Sequence, residues 1–202
     1  MKRNELMRDY WHYYRNLENK LIATSSYIEI HRDNFTAFSN EYALLLQSTG
    51  AELDNFFKVF CGYNLTDRKN INDYAGYILS SYPYVVNQIV TIPDRGIDLQ
   101  PFAGWNTNAP AQSLNWWISF DEVKHNRAGN IKKANQENVL NIVSNLPIFE
   151  HFCHPIFDHR SIKKQPKLQF LIFDFRNVIE FSRSYSALVG GALFSSTWRL
   201  TA

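Results

Sequence analysis

The stretch TAFSNEYALLLQSTGAELDNFFKVFCG, from Thr36 to Gly62, puts Tyr42, Leu45, Leu46, Leu53, Phe56, Phe57 and Phe60 on one side of a helix turning about 100° per residue. An apolar stripe of that length, closed by Gly62, predicts a long helix from about Thr36 to Cys61 that buries one face. Upstream, Leu6, Tyr10, Tyr14, Leu17 and Leu21 recur at steps of four, four, three and four, which predicts a first helix to pack antiparallel against it.

Downstream the helical period fades. Residues 63–111 hold a short helical stretch near Asp73 to Ser81, then Pro83, Pro93, Gly96, Pro101, Gly104 and Pro110, and read as an irregular insertion. After it, Ser113 is the expected cap of a third helix through Arg127, closed by Gly129. A fourth runs from about Ile131 through Val139, Ile142, Val143 and Leu146 and ends at Pro147. In the tail, about 155–202, the run Leu168 to Phe175 is aromatic and β-branched and predicts a strand. The expected fold is mostly α: a single domain over residues 1–202, built as a four-helix bundle with an insertion and a short β-containing tail.

Composition narrows the function classes. The 21 basic and 19 acidic residues give +2, so net charge selects no polyanionic partner. The start, Met1 to Glu5, leads into a charged, aromatic-striped segment, and no apolar run approaches the roughly 20 residues of a membrane span. A cytoplasmic protein without membrane contact is expected. Cys61 and Cys153 are too few for a disulfide framework and read as small core hydrophobes. His151, Cys153, His154, Asp158 and His159 gather ligand-type side chains, but their spacing matches no zinc template and no metal site is assigned.

Local charge is more informative. Lys124, His125, Arg127, Lys132 and Lys133 form one basic cluster; Arg160, Lys163, Lys164 and Lys167 form another, which reads as a solvated loop. On a helix from Ser113 to Arg127, Asp121 and His125 stand one turn apart, so a carboxylate can orient an imidazole for proton transfer or phosphate binding. The blander reading of His125 is a hydrogen-bonded cation at a helix C-terminus. Trp116 and Trp117 offer rings for base stacking, although adjacent helix positions cannot both face one ligand and core packing of at least one is expected. Glu41, Ser48 and Glu52 share a face of the second helix, and Glu52, beside the apolar stripe, would need a cation such as Lys124 or Arg127. Asp54 and Lys58 read as a surface pair, and Asn135 and Asn138 as a polar helix face that could support the site.

The paired helices, a histidine late in the bundle and the string Asp121-Glu122-Val123-Lys124-His125 resemble the HEPN superfamily, four-helix-bundle proteins of prokaryotic conflict systems, many of them metal-independent ribonucleases. The resemblance covers about Asn4 to Cys61 and Ser113 to Phe152. In that family an Arg precedes the His with four to six residues between; here those positions are Ile118, Ser119 and Phe120. Arg127 is the substitute at hand, but two residues along a helix is about 200°, so it reaches His125 only if the helix frays before Gly129 or a second subunit supplies it. The resemblance implies an endoribonuclease of a phage-defence or toxin–antitoxin system, acting as a homodimer and without a cofactor. His125 would transfer protons, Asp121 would orient it, and Arg127 and Lys124 would stabilise phosphorane charge. RNA would be held by Lys124, Lys132 and Lys133, with Glu52 and Asn135 in support. The alternative is a non-catalytic HEPN-like module binding a nucleotide, nucleic acid or protein partner.

Overall fold

Ser39, in extended conformation, accepts a hydrogen bond from Tyr42 N at 3.0 Å and opens α2, Asn40–Phe60. The computed structural model describes residues 12–145 together with Tyr10, Ile148 and the pair Ile172–Phe173. The helix starts later than Thr36 because Ser39, not Thr36, is the capping side chain; residues 35–38 have another task, described below. Gly62, at φ +80°, ends the helix as its sequence position suggested.

Three helices pack closely on α2. α1, His12–Thr24, lies against it through Tyr14, Leu17 and Leu21, while α4, Asn115–His125, and α6, Gln136–Val143, pack on α2 and on each other. The expected stripe on α2 is buried from Tyr42 through Leu45, Leu46, Leu53, Phe56 and Phe57, each at most 2% exposed, while its last member, Phe60, is only partly buried. Gly50 sets the α2–α4 approach. A Cβ on it would lie 2.3 Å from Phe120 Cδ2, so the ring rests directly on bare helix backbone. The chain is thus mostly helical.

Residues 63–111 are more ordered than an irregular insertion. Asn70 and Asp73 form a capping box at the start of α3, Ile71–Ser81, whose Tyr74 donates to Asp54 Oδ1 at 2.9 Å. Lys58 Nζ lies 3.2 Å from Asp54 Oδ2, so the expected surface pair within α2 is partly buried, and its carboxylate also receives the Tyr74 bond from α3. Burial and the Asp54 carboxylate push the Tyr74 hydroxyl well above the ordinary range of a phenol.

Beyond α3, β1, Val90–Ile92, pairs antiparallel with β2, Ile97–Leu99, in the register Val90↔Leu99. β3, Ile172–Phe173, joins the other side of β1, giving the order β2-β1-β3. This is the described part of the strand expected at 168–175. Val85, Val90, Ile92, Ile97, Leu99, Phe102 and Trp105 all enter the same apolar cluster as α2. The first-helix position Leu6, the His/Cys group at 151–159 and the second basic cluster lie outside the described residues.

The helix borders near α4 differ from expectation. Ser113 does not cap α4: its hydroxyl donates to Pro110 O, Leu114 occupies the cap position, and that position has no side-chain bond. Nor does α4 continue to Arg127. Asn126, at φ −147° and ψ 75°, breaks the helix, and its Oδ1 accepts from Gly129 N at 3.1 Å to open a short helix α5, Arg127–Asn130. Gly129 therefore lies within α5 instead of closing α4. Ile131–Lys133 is a 3₁₀ turn, and α6 begins only at Gln136, capped by Asn135. Three asparagine side chains supply this punctuation, since Asn130 Nδ2 also donates to Glu122 O.

Candidate functional site

α4 carries its candidate residues at the exposed end. Its N-terminal part is held by aromatic packing: Trp116 donates to Pro101 O at 2.7 Å and meets Phe102 edge to face, and Trp117 stands between Trp116 and Phe120. Both tryptophans are buried, which removes either as a stacking surface for bases. The partners that enclose Trp116 come from the segment 101–105, so its enclosure is not visible from α4 alone.

One turn beyond Phe120 the helix emerges. His125 Nε2 lies 3.4 Å from Asp121 Oδ1, and the two side chains are 70% and 57% exposed. The spacing of four brings them together as anticipated, and the exposure leaves the imidazole open to a ligand. Their contact is an ion pair when His125 is protonated. Lys124 Nζ stands 5.4 Å from the Phe120 ring centroid, a cation over an aromatic face at the edge of the core.

Arg127 follows the break at Asn126 and is turned toward α2, where its Nη1 donates to Asn40 Oδ1 at 3.0 Å. Lys132 is exposed in the 3₁₀ turn. Lys133 is ion-paired with Glu122, which removes it from the freely available cations. The result is an exposed edge in which Lys124, His125, Arg127 and Lys132 follow one another over nine residues on a backbone fixed by the asparagine caps.

Two supporting residues take different roles from those expected. Glu52 is half-buried, and desolvation raises its carboxyl above the ordinary value, but neither Lys124 nor Arg127 forms an ion pair with it. The two cations are engaged by Phe120 and Asn40 instead. Asn135 is the N-cap of α6, its Oδ1 accepting from Asn138 N at 3.0 Å, and so fixes the end of the basic segment. Asn40 and Asn126 escaped the sequence reading: the first acts across 87 residues of chain, and the second ends one helix and caps the next through its own side chain.

Nearby, a buried polar network locks the two ends of the site to the core. Gln136 donates to Glu29 O and to Tyr42 Oη at 3.0 Å each, and accepts from His31 N at 3.3 Å. Gln136 N and Glu137 N donate to Ala37 O and Phe35 O. Among the described residues no three His, Cys, Asp or Glu side chains gather as a metal site, and no helix is long and apolar enough to cross a membrane. Comparison with known family models, with curated proteins and with solved structures finds no match.

Proposed function

We propose that this protein is a phosphate-binding module for RNA, built on a four-helix bundle of the HEPN kind in which α1, α2, α4 and α6 are the bundle helices. The observation that carries the reading is the exposed basic edge at the end of α4. Lys124, His125, Arg127 and Lys132 are presented on a short, capped segment, and the two acids beside them, Asp121 and Glu122, stand against His125 and Lys133. Binding there neutralises phosphates and releases counterions, so affinity falls steeply as salt rises. Titrating a labelled RNA at several salt concentrations tests this, and tight binding without salt dependence refutes it.

The second reading, a metal-independent endoribonuclease of a defence or toxin–antitoxin system, is favoured by one observation, the Asp121–His125 contact at 3.4 Å. In that reaction the substrate 2′-hydroxyl attacks the adjacent phosphorus, its proton passes to His125, and the 5′-oxygen leaves with a proton returned. The charge on the phosphorane would need a second cation beside His125. Arg127 is held by Asn40, so a homodimer in which a second copy brings that cation is the form this reading requires. RNA cleavage abolished by His125→Ala at unchanged melting temperature would establish the enzyme. Binding without cleavage leaves the module.

A further inference from the structure

Phe38 is a large apolar side chain held in the open: its ring is 45% exposed. Its backbone is not loose. Phe38 forms an antiparallel bridge with Asn135, the preceding Ala37 O accepts from Gln136 N at 2.9 Å, and the next residue, Ser39, caps α2. The ring is therefore presented by a rigid backbone at the crossing of two chain segments, and both segments carry candidate cations. Two residues after Phe38, Asn40 holds the Arg127 guanidinium at 3.0 Å; three residues before its bridge partner Asn135 stands Lys132. With consecutive Cα atoms 3.8 Å apart, these links keep both Arg127 and Lys132 within about 15 Å of Phe38. Leu44, one turn after Asn40 on α2, is also exposed and extends the apolar surface.

From this juxtaposition we infer that Phe38 is a base-stacking platform and that the ligand is an unpaired RNA strand, with Arg127 and Lys132 on the phosphates to either side. The inference rests on the phosphate-binding reading and narrows its substrate. A duplex hides its base faces within the stack and offers phosphates alone, whereas a single strand can lay a base on an exposed ring. A ring fixed in advance loses little freedom on binding, which favours stacking over a flexible side chain at the same place.

The experiment is fluorescence anisotropy with a short labelled single-stranded RNA and with the same strand annealed to its complement, comparing wild type with Phe38→Ala, Phe38→Leu and Phe38→Trp. The Ala and Leu variants should bind the single strand about 10-fold more weakly or worse, the Trp variant should bind it at least as well as wild type, and duplex affinity should not move. The slope of affinity against salt should be unchanged in all of them, because no charge is altered. Single-strand affinity that is unchanged in Phe38→Ala and Phe38→Leu overturns the stacking role while leaving the phosphate edge standing. An equal loss on single strand and duplex, with a lowered melting temperature in Phe38→Leu as well, also overturns it and makes Phe38 structural. Absence of binding to either RNA by wild type removes the phosphate edge itself.

Discussion

The two halves of α4 are built from similar numbers of residues and follow opposite rules. From Trp116 to Phe120 the helix is enclosed by Phe102, Trp105 and the bare backbone at Gly50; from Asp121 to His125 it faces water on the side that carries charge. Burial of rings against a close-packed interior is worth several kcal/mol per side chain, while exposed ion pairs contribute about 0–1 kcal/mol. A single helix therefore separates holding the fold from meeting a ligand. The enclosed half fixes where the exposed half stands.

The comparison is most severely tested at Trp116. Trp116→Ala removes a buried ring and leaves Pro101 O without its donor, so it should destabilise the protein by about 3–5 kcal/mol in chemical denaturation. His125→Ala, two and a half turns later, should change stability by no more than about 0.5 kcal/mol. Comparable losses in the two variants would break the division.

Gly50→Ala should come next. The added methyl meets the Phe120 ring at 2.3 Å, closer than any van der Waals contact allows, and neither the ring nor the α2 backbone can yield freely. Overpacking of this kind costs about 1–3 kcal/mol, or roughly 2–4 °C of melting temperature per kcal/mol in a chain of this size. A Phe120→Leu change should lessen the cost of Gly50→Ala, so the double variant should be more stable than the two single losses added together. Strict additivity would show that the close approach is not what limits packing there.

How much of this was legible beforehand follows the same division. The stripe Tyr42 to Phe57 needed only the helical period, because members three or four residues apart share the one face that the other helices cover. The Asp121–His125 contact was legible for the same local reason. What stayed hidden was non-local. The enclosure of Trp116 depends on Pro101 and Phe102, and the capture of Arg127 depends on Asn40, far away in the chain. Asn126 was hidden differently: its carboxamide competes with helix continuation for the backbone, and that competition leaves no trace in hydrophobic spacing. Ser113 shows the reverse error, a good capping residue whose hydroxyl is already engaged by Pro110 O.

Glu52, half-buried on α2, should give a smaller effect. Burial raises its carboxyl above the ordinary 4.5, so the folded protein holds the proton more tightly than the unfolded chain. Below the ordinary value both states are protonated and stability is complete. As pH rises through the raised value, the unfolded chain binds fewer protons than the folded one and stability falls. Glu52→Gln should remove that fall: its melting temperature should exceed that of wild type at pH 7 by more than at pH 4. A difference that does not change with pH would show that folding leaves the carboxyl unshifted, and one that reverses sign would show that Glu52 has found a counterion and belongs to the charged edge.

The smallest structural effect is expected at Lys132, where the binding consequence is sharpest. Lys132 is exposed, lies in a 3₁₀ turn and forms no ion pair among the described residues, so Lys132→Gln removes a charge and almost nothing else. Stability should stay within about 0.5 kcal/mol of wild type. If the residue contacts an RNA phosphate, one fewer counterion is released on binding, and the slope of log affinity against log salt should become shallower by about 0.7 for a single strand. Lys133→Gln provides the internal control, since its ammonium is already paired with Glu122. It should alter the slope less than Lys132→Gln and disturb stability more, because it leaves the Glu122 carboxylate without its partner. If the two lysines gave equal slopes, ion pairing within the protein would not determine which cations meet RNA, and the edge would act as diffuse positive charge instead of as a set of placed contacts.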